Sequence, residues 1–202
     1  IWFMGAFAFM LKLGGGYLLN LRLKSHRTAA LPQQWQKRFD ALCRKARVTR
    51  PVRLVESAIV KVPMVIGHLK PVVLLPLGMV TGMPKEQVEA LLAHEIAHIF
   101  RRDYIVNIFQ GIVEAAFFYH PAAWWISSHV RDEREHCCDD MAVSMSGDSM
   151  NFAKALTAVQ ERSLNLTEPA LAVTGKNRGL FGRIKRLFDR PSRPSRTAER
   201  FT

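Results

Sequence analysis

Two histidines and a glutamate near the middle of the chain have the residue types and spacing needed to bind and use a metal ion. His94 and His98 are four residues apart, so on a helix they lie on one face, one turn above the other. Two imidazoles in this arrangement can bind one Zn²⁺, and Glu95 lies where it can take a proton from water at the metal. The residues around the motif are uncharged and mostly apolar, as a dry metal site requires. The sequence therefore predicts His94 and His98 as zinc ligands and Glu95 as the catalytic base.

A catalytic zinc ion usually takes three protein ligands and leaves one position to water. Glu135 is the favoured third ligand because Glu135 and Asp139 repeat the four-residue spacing on a later helix. Glu135 can then bind the metal while Asp139 accepts the free ring N–H of a ligand histidine and orients it. The alternatives that stay open are mainly His136, His120 and His129. The full set of downstream candidates is His120, His129, Glu133, Glu135, His136, Asp139 and Asp140.

Three segments of the chain resemble the membrane zinc peptidases of the penicillin-sensing BlaR/MecR type. They are HEIAHIFRRD (94–103), FFYHPAAWW (117–125) and REHCCDDMAV (134–143), and PMVIGHLKPVVLLP (63–76) is also similar. The resemblance covers about residues 1–190. That family resembles gluzincins, with HExxH on one helix and ExxxD on the next, which implies roles for the five matching positions: His94, Glu95, His98, Glu135 and Asp139. It leaves the oxyanion donor open among Tyr104, Arg131, Arg134 and His136.

The helix that carries the motif is expected to begin near Pro84, which suits the first helical position. Glu86 then lies in the first turn, where a carboxylate interacts favourably with the helix dipole. A stripe of apolar residues at helical spacing should pack in the core: Val88, Leu92, Ile96 and Ile99. The motif and Leu91 share a different face, so the helix has one side for packing and one for chemistry.

Residues 52–76 are the only β-rich part of the sequence and predict two or three short strands of a small antiparallel sheet, with a turn at 67–70. Pro63 should lie on an edge strand or bulge because it cannot donate a ladder hydrogen bond. An edge strand beside the metal helix could pair with an extended peptide, although an ordinary sheet is the simpler alternative. Residues 28–34 are expected to be a linker. An amphipathic helix should follow, from the spacing of Trp35, Phe39, Leu42 and Ala46.

Residues 104–130 are largely apolar but contain scattered polar side chains. We expect a helix pair, either buried or lying on a membrane surface, that is broken near Pro121. Trp124 and Trp125 could anchor such a pair at a membrane interface, although aromatic residues of this kind are more often part of a core.

The net charge of +12 is unevenly distributed along the chain. Residues 12–53 contain 11 Lys or Arg and one acidic residue, and residues 176–202 contain nine Lys or Arg and two acidic residues. Residues 54–175, between them, contain nine Lys or Arg and 14 acidic residues. Basic arms suit either nucleic-acid phosphates or cytoplasmic loops beside membrane spans. Residues 1–19 contain one charge, Lys12, and nearly suffice to cross a hydrocarbon core of about 30 Å. The membrane is therefore favoured, and the positive charges that follow predict a cytoplasmic location for the rest.

The three cysteines, Cys43, Cys137 and Cys138, do not form the pattern of a secreted disulfide framework. A reducing, cytosolic setting fits better. A thiolate zinc site at Cys137 and Cys138 is a minor alternative because the sequence has no CxxC partner for it.

These observations predict an α+β, zincin-like (gluzincin) metallopeptidase domain preceded by a transmembrane helix. The expected divisions are a membrane helix at 1–20, a basic juxtamembrane linker and helix at 21–51, the peptidase domain at 52–175 and a basic, partly disordered tail at 176–202. The first half of the tail could form a basic amphipathic helix on a membrane surface, or the tail could be a passive linker. The resemblance also makes it a candidate for self-cleavage.

The predicted function is that of a zinc-dependent endopeptidase anchored in the cytoplasmic (inner) membrane, with its active site facing the cytoplasm. Its expected partners are the lipid membrane and a protein or peptide substrate. By analogy with the family, this substrate is a transcriptional repressor or the enzyme itself, cleaved in signal transduction. A membrane-tethered metal-binding adaptor without turnover is the alternative, but a structural site has no need of Glu95. Direct nucleic-acid binding is not expected, since no nucleic-acid-binding motif occurs.

Overall fold

The computed structural model describes residues 11, 14–16, 28–67, 70–165 and 173–189. The predicted membrane helix at 1–20 and the centre of the predicted turn at 68–69 therefore lie largely or wholly outside the described residues. The second half of the predicted tail, from residue 190 onward, also lies outside them. Within the described ranges, no helix combines the length and apolar character needed to cross a bilayer.

A small four-stranded sheet lies on one side of the molecule. Its strands are β1 (Thr28–Ala30), β2 (Arg53–Ser57), β3 (Met64–Ile66) and β4 (Val72–Pro76), in the order β1-β2-β4-β3. The prediction of two or three short strands within 52–76 is confirmed by β2, β3 and β4, and Pro63 immediately precedes the edge strand β3. The linker predicted at 28–34 is wrong in part, because residues 28–30 pair antiparallel with β2.

The sheet is mixed, so the prediction of an antiparallel sheet is also wrong in part. Strands β2 and β4 run parallel, with Arg53 opposite Val72 and Ser57 opposite Pro76. The intervening residues carry the chain back to the start of β2, and β3 forms within this crossover on the far side of β4. The local sequence pattern predicts where strands and turns occur, but it does not show that β2 pairs with β4 and not with β3, the next strand along the chain.

Strand β4 is buried on both faces and separates two apolar clusters. Val73 and Leu75 face the main core, while Val72 and Leu74 face a smaller cluster with Val55 and Ile66. This alternation follows from the two-residue period of a strand.

Seven helices complete the described part of the fold. They are α1 (Gln33–Lys45), α2 (Met79–Gly82), α3 (Lys85–Arg101), α4 (Asp103–Ala116), α5 (Pro121–Ser146), α6 (Ser149–Asn165) and α7 (Val173–Asp189). The prediction of a helix pair broken near Pro121 is confirmed by α4 and α5. Together with the sheet, these helices confirm the α+β class.

Helix α3 is the centre of the fold and packs against α1, α5 and α6. Its predicted apolar stripe is buried, with Val88, Leu92 and Ile96 completely inaccessible to solvent. Pro84 is the residue just before the helix rather than the first helical residue, and Glu86 lies in the first turn as predicted.

The amphipathic helix predicted around Trp35 is confirmed as α1. Trp35 and Phe39 are buried in the main core together with residues of α3. Residues of the segment expected to be a juxtamembrane linker and helix therefore share the core of the domain that was expected to begin at residue 52.

The first half of the predicted basic tail is helical, as expected, and forms most of α7. Arg183 and Arg186 of this helix form ion pairs with Asp139 and Asp140 of α5. Helix α7 therefore packs on the domain, where the sequence suggested either a membrane-surface helix or a passive linker.

Candidate metal centre

Helices α3 and α5 bring the three predicted zinc ligands together. The Nε2 atoms of His94 and His98 are 3.2 Å apart. Glu135 places Oε2 3.5 Å from the first of these atoms and Oε1 3.9 Å from the second. A tetrahedral zinc ion with bonds of about 2.0–2.1 Å to nitrogen separates neighbouring ligand atoms by about 3.3 Å. The donor atoms therefore have the spacing that one such ion requires.

Each histidine ring has a carboxylate at its other nitrogen. Asp103 Oδ2 lies 2.7 Å from His98 Nδ1. Asp139 Oδ1 lies 3.0 Å from His94 Nδ1, although the ring N–H does not point directly at it. A neutral ring with its proton on Nδ1 presents a lone pair at Nε2. Two such lone pairs facing one another at close range favour a cation between them, so the residues present fit a zinc ion.

Asp103 was missed by the sequence analysis. It lies five residues beyond His98, which is not a helical spacing for one face. Arg102 makes the contact possible because it adopts the left-handed conformation (φ 57°) between α3 and α4. The signal in the sequence was the aspartate that ends the segment HEIAHIFRRD.

Cys138 lies on the outer side of His98, with its sulfur 3.3 Å from His98 Nδ1 and 3.5 Å from Asp103 Oδ2. Burial strongly raises the pKa of this thiol, and the charge of Asp103 raises it further. A protonated thiol can donate to Asp103 but is a poor zinc ligand. Cys138 also forms a second group of possible metal ligands with His98 and Asp103, and Cys137 is not part of that group.

Arg183 of α7 is a second contributor that the sequence analysis did not identify. Its Nε and Nη2 atoms donate to the two oxygens of Asp139 at 2.8 and 2.6 Å. Its Nη1 atom is 3.7 Å from Glu135 Oε2. The sequence showed a basic amphipathic segment but gave no reason to select this arginine, which is 44 residues from its partner.

Buried charges in the site shift one another's pKa values. Burial alone would lower the pKa of His94, but the nearby carboxylates of Asp139 and Glu135 raise it to about 9. Burial opposes ionisation of Glu135 as well, but His94, His98 and Arg183 lower the pKa of this carboxyl to about 2. The pKa of Asp139 is lowered against the effect of burial by Arg183 and His94.

Glu95 lies in the wall of the same cleft and is 8% exposed. Burial raises the pKa of this carboxyl, while His94 and His98 act in the opposite direction. A carboxylate whose pKa is raised is a better proton acceptor than one in water. Glu95 therefore has the environment of a general base.

The cleft has a volume of about 1320 Å³ and runs between the edge strand β3 and helices α3, α4, α5 and α7. Pro63 and all of β3 line it, opposite Leu91 and the motif histidines. One side of β3 pairs with β4, so its other side can accept an extended peptide.

The alternative zinc ligands and oxyanion donors considered from the sequence lie at several places on helices α4 and α5 and at the start of α5. His120 caps α5, where its Nδ1 accepts from the amide of Ala122, and His129 is exposed against Trp125. Glu133 is 77% exposed, and Asp140 pairs with Arg186. His136, Tyr104 and Arg134 line the cleft. Arg131, the other oxyanion candidate, pairs with Glu114.

The sequence of the chain matches a known class of peptidase. The sequence model of the BlaR1 peptidase M56 family matches residues 1–187. The chain belongs to this family.

Similar proteins include the regulatory protein BlaR1 of Bacillus licheniformis, 22% identical over 139 residues, which are 69% of this chain and 23% of that protein. A methicillin resistance mecR1 protein of Staphylococcus aureus is 29% identical over 77 residues, 38% of this chain and 13% of that protein. A protease HtpX homolog of Bacillus licheniformis is 42% identical over 59 residues, 28% of this chain and 20% of that protein. The chain thus matches less than a quarter of the length of each of these relatives.

Proposed function

We propose that this chain is the catalytic domain of a zinc-dependent endopeptidase anchored in the cytoplasmic membrane. The observation that carries the proposal is the convergence of His94 Nε2, His98 Nε2 and the Glu135 carboxylate, with Glu95 in the wall of the same cleft. His94, His98 and Glu135 would hold the zinc ion. When bound, zinc polarises the scissile carbonyl and lowers the pKa of water toward about 7.

The residues of the chain then divide the remaining work. Glu95 accepts the proton of the attacking water and returns it to the leaving amine. Asp139 and Asp103 hold the two imidazoles with Nε2 directed to the metal. Strand β3 aligns an extended substrate beside α3 by backbone hydrogen bonds.

The biological role that we propose is regulatory proteolysis, with a repressor or the enzyme itself as the substrate. Membership of the BlaR1 peptidase M56 family and similarity to a protein named as regulatory support this role. The apolar run at 1–19, followed by Arg22, Lys24 and Arg27, supports a membrane anchor with the active site in the cytoplasm.

Replacing Glu95 by glutamine tests the mechanism. We expect Glu95→Gln to keep its zinc and to lose peptide hydrolysis by a factor of about 10² or more, because the general base is gone. Zinc content is measured by atomic emission, and hydrolysis with a quenched fluorescent casein. Glu86→Gln, on the exposed first turn of the same helix, is the matched control and should behave as wild type. Hydrolysis that survives in Glu95→Gln would disprove the mechanism, and a wild-type chain that binds zinc without any hydrolysis would favour the adaptor.

A further inference from the structure

The hairpin formed by residues 104–130 carries an unusual concentration of exposed apolar side chains. Within the described parts of the chain, 17 large apolar residues are exposed, and 11 of them belong to this hairpin. They are Ile105, Val106, Ile108, Phe109, Ile112, Phe117, Tyr119, Trp124, Trp125, Ile126 and Val130. A patch of this size on a water-soluble surface normally marks an interaction site.

Four polar side chains of the hairpin, those of Asn107, Gln110, Glu114 and Ser127, form hydrogen bonds between its two helices. Gln110 donates to the backbone oxygen and the hydroxyl of Ser127 at 3.0 and 3.1 Å. Ser127 in turn bonds to Glu114, which also pairs with Arg131 at 2.5 Å. Farther along the same seam, Arg134 donates to Asn107. Glu114 is the only Asp, Glu, Lys or Arg within residues 104–130, and its side chain is 13% exposed.

This polarity is the reverse of that expected for a helix pair in water. A pair exposed to water places apolar residues between its helices and polar residues outside. Here polar side chains bond to one another between the helices, and the outside is mainly apolar, with Asn107, His120, Ser128 and His129 as its exposed polar residues. Such an arrangement is stable where the surroundings cannot form hydrogen bonds, as in the hydrocarbon of a bilayer.

The exposed apolar residues surround much of the hairpin and are not confined to one flat face. Viewed down the axis of α4, with about 100° per residue, the exposed apolar residues cover about 160° of the circumference. In order around the axis they are Ile108, Ile112, Ile105, Phe109 and Val106. They continue around the tip at Phe117 and Tyr119 and down the first turns of α5. A second copy of the chain would cover one side of this surface and leave the others in water.

The length and the flanking residues of the hairpin match a single leaflet. The 14 residues of α4 extend about 21 Å, which is more than the hydrocarbon depth of one leaflet, about 15 Å, and less than that of the whole bilayer, about 30 Å. At the base of the hairpin, Arg102 is exposed and the guanidinium of Arg50 lies over the ring of Tyr104, where anionic head groups would attract both.

We propose that the hairpin of residues 104–130 is immersed in one leaflet of a phospholipid bilayer. The candidate metal centre then lies close to the membrane surface. Asp103 immediately precedes the hairpin, and Glu135 follows Val130 by five residues of the same helix, about 7.5 Å along its axis.

Site-directed spin labelling tests the depth of the hairpin. Because the predicted helix at 1–20 would keep the chain on a membrane by itself, the experiment must measure depth at individual sites. The full chain carrying Cys137→Ser is reconstituted in nanodiscs of phosphatidylcholine and phosphatidylglycerol. Single cysteines replace Phe109, Ile112 or Trp125, and matched exposed apolar residues elsewhere, Leu77 and Met150, provide the controls. Circular dichroism checks that each variant is folded.

Collision of the nitroxide with oxygen and with a water-soluble nickel chelate gives the result. We expect hairpin labels to collide preferentially with oxygen, because oxygen partitions into hydrocarbon, and control labels to collide preferentially with the nickel chelate. Equal nickel access at the hairpin and control sites would overturn the proposal. Spin–spin broadening at the hairpin that disappears on dilution with unlabelled chain would also overturn it, because a second copy would then cover the surface.

Discussion

The two imidazoles of the metal centre are each fixed by a carboxylate from a different helix. Asp139 approaches His94 from α5, and Asp103 approaches His98 from the start of α4. Both carboxylates are buried, at 0% and 4% exposure, so water cannot replace either contact without a rearrangement. The orientation of the two Nε2 atoms in the proposed zinc site therefore depends on Asp139 and Asp103 as well as on the backbone of α3.

Asp103→Asn should weaken zinc binding without unfolding the chain. The amide oxygen can still accept the His98 N–H, but it lacks the charge that makes the imidazole a stronger ligand. We expect zinc affinity to fall by about 10–100-fold, as measured by competition with a chromophoric chelator. Asp132→Asn, the same change at an exposed position near the cleft, is the control and should leave the affinity unchanged. Equal affinities for Asp103→Asn and wild type would show that the contact is incidental.

Helix α7 contacts the C-terminal half of α5 through two arginine–aspartate ion pairs that differ in burial. Arg183 binds Asp139, which is completely buried and contacts His94. Arg186 binds Asp140, whose side chain is 31% exposed and which is not a neighbour of either histidine in the described structure. The first pair is therefore linked to the metal centre, and the second only attaches the helix.

These two arginines allow a matched comparison. Arg183→Ala leaves the Asp139 carboxylate buried without its cation, so we expect the free energy of unfolding to fall by about 3 kcal/mol and zinc affinity to fall with it. Arg186→Ala should cost about 1 kcal/mol or less, because its partner can be solvated, and should not change zinc affinity. Urea denaturation and chelator competition measure the two quantities. Similar zinc affinities in both variants would contradict a link between α7 and the metal centre.

Most features of the fold and site that depend on residues close together in the sequence could be predicted, and most features that depend on distant residues could not. Helical periodicity fixes which residues share a face, so the faces carrying His94, His98, Glu135 and Asp139 were predicted. The approach of Asp103 depends on a left-handed arginine, a conformation that arginine does not favour.

Other features depend on partners distant in the sequence. Residues 28–30 have no alternating pattern, and they form a strand only because β2 offers an edge. The parallel pairing of β2 and β4 and the contact of Arg183 with Asp139 likewise arise from tertiary packing, which local propensity does not encode.

At the scale of the whole molecule, the charges of the metal centre link folding to pH in different ways with and without zinc. The pKa of Glu135 is lowered from 4.5 to about 2, so its contribution to stability is present above pH 4.5 and is lost as the pH falls toward 2. The pKa of His94 is raised from 6.5 to about 9, so its contribution is complete below pH 6.5 and is lost as the pH rises through about 9. The metal-free site therefore stabilises the fold most between about pH 4.5 and 6.5.

In the proposed site, zinc should remove the alkaline loss of stability from this profile, because only a neutral imidazole can bind the metal. Between pH 6.5 and 9, zinc binding displaces the proton of His94, so the affinity for zinc rises with pH. We expect the urea midpoint to fall over this range in the presence of a chelator. With saturating zinc the midpoint should level off above about pH 7.5, because the gain in zinc affinity offsets the stability that is lost with the proton. His129→Ala removes an exposed histidine outside the site and should leave both slopes unchanged. Parallel pH profiles with and without zinc would show that His94 does not exchange a proton for the metal, and His94 would then have to be removed from the ligand set.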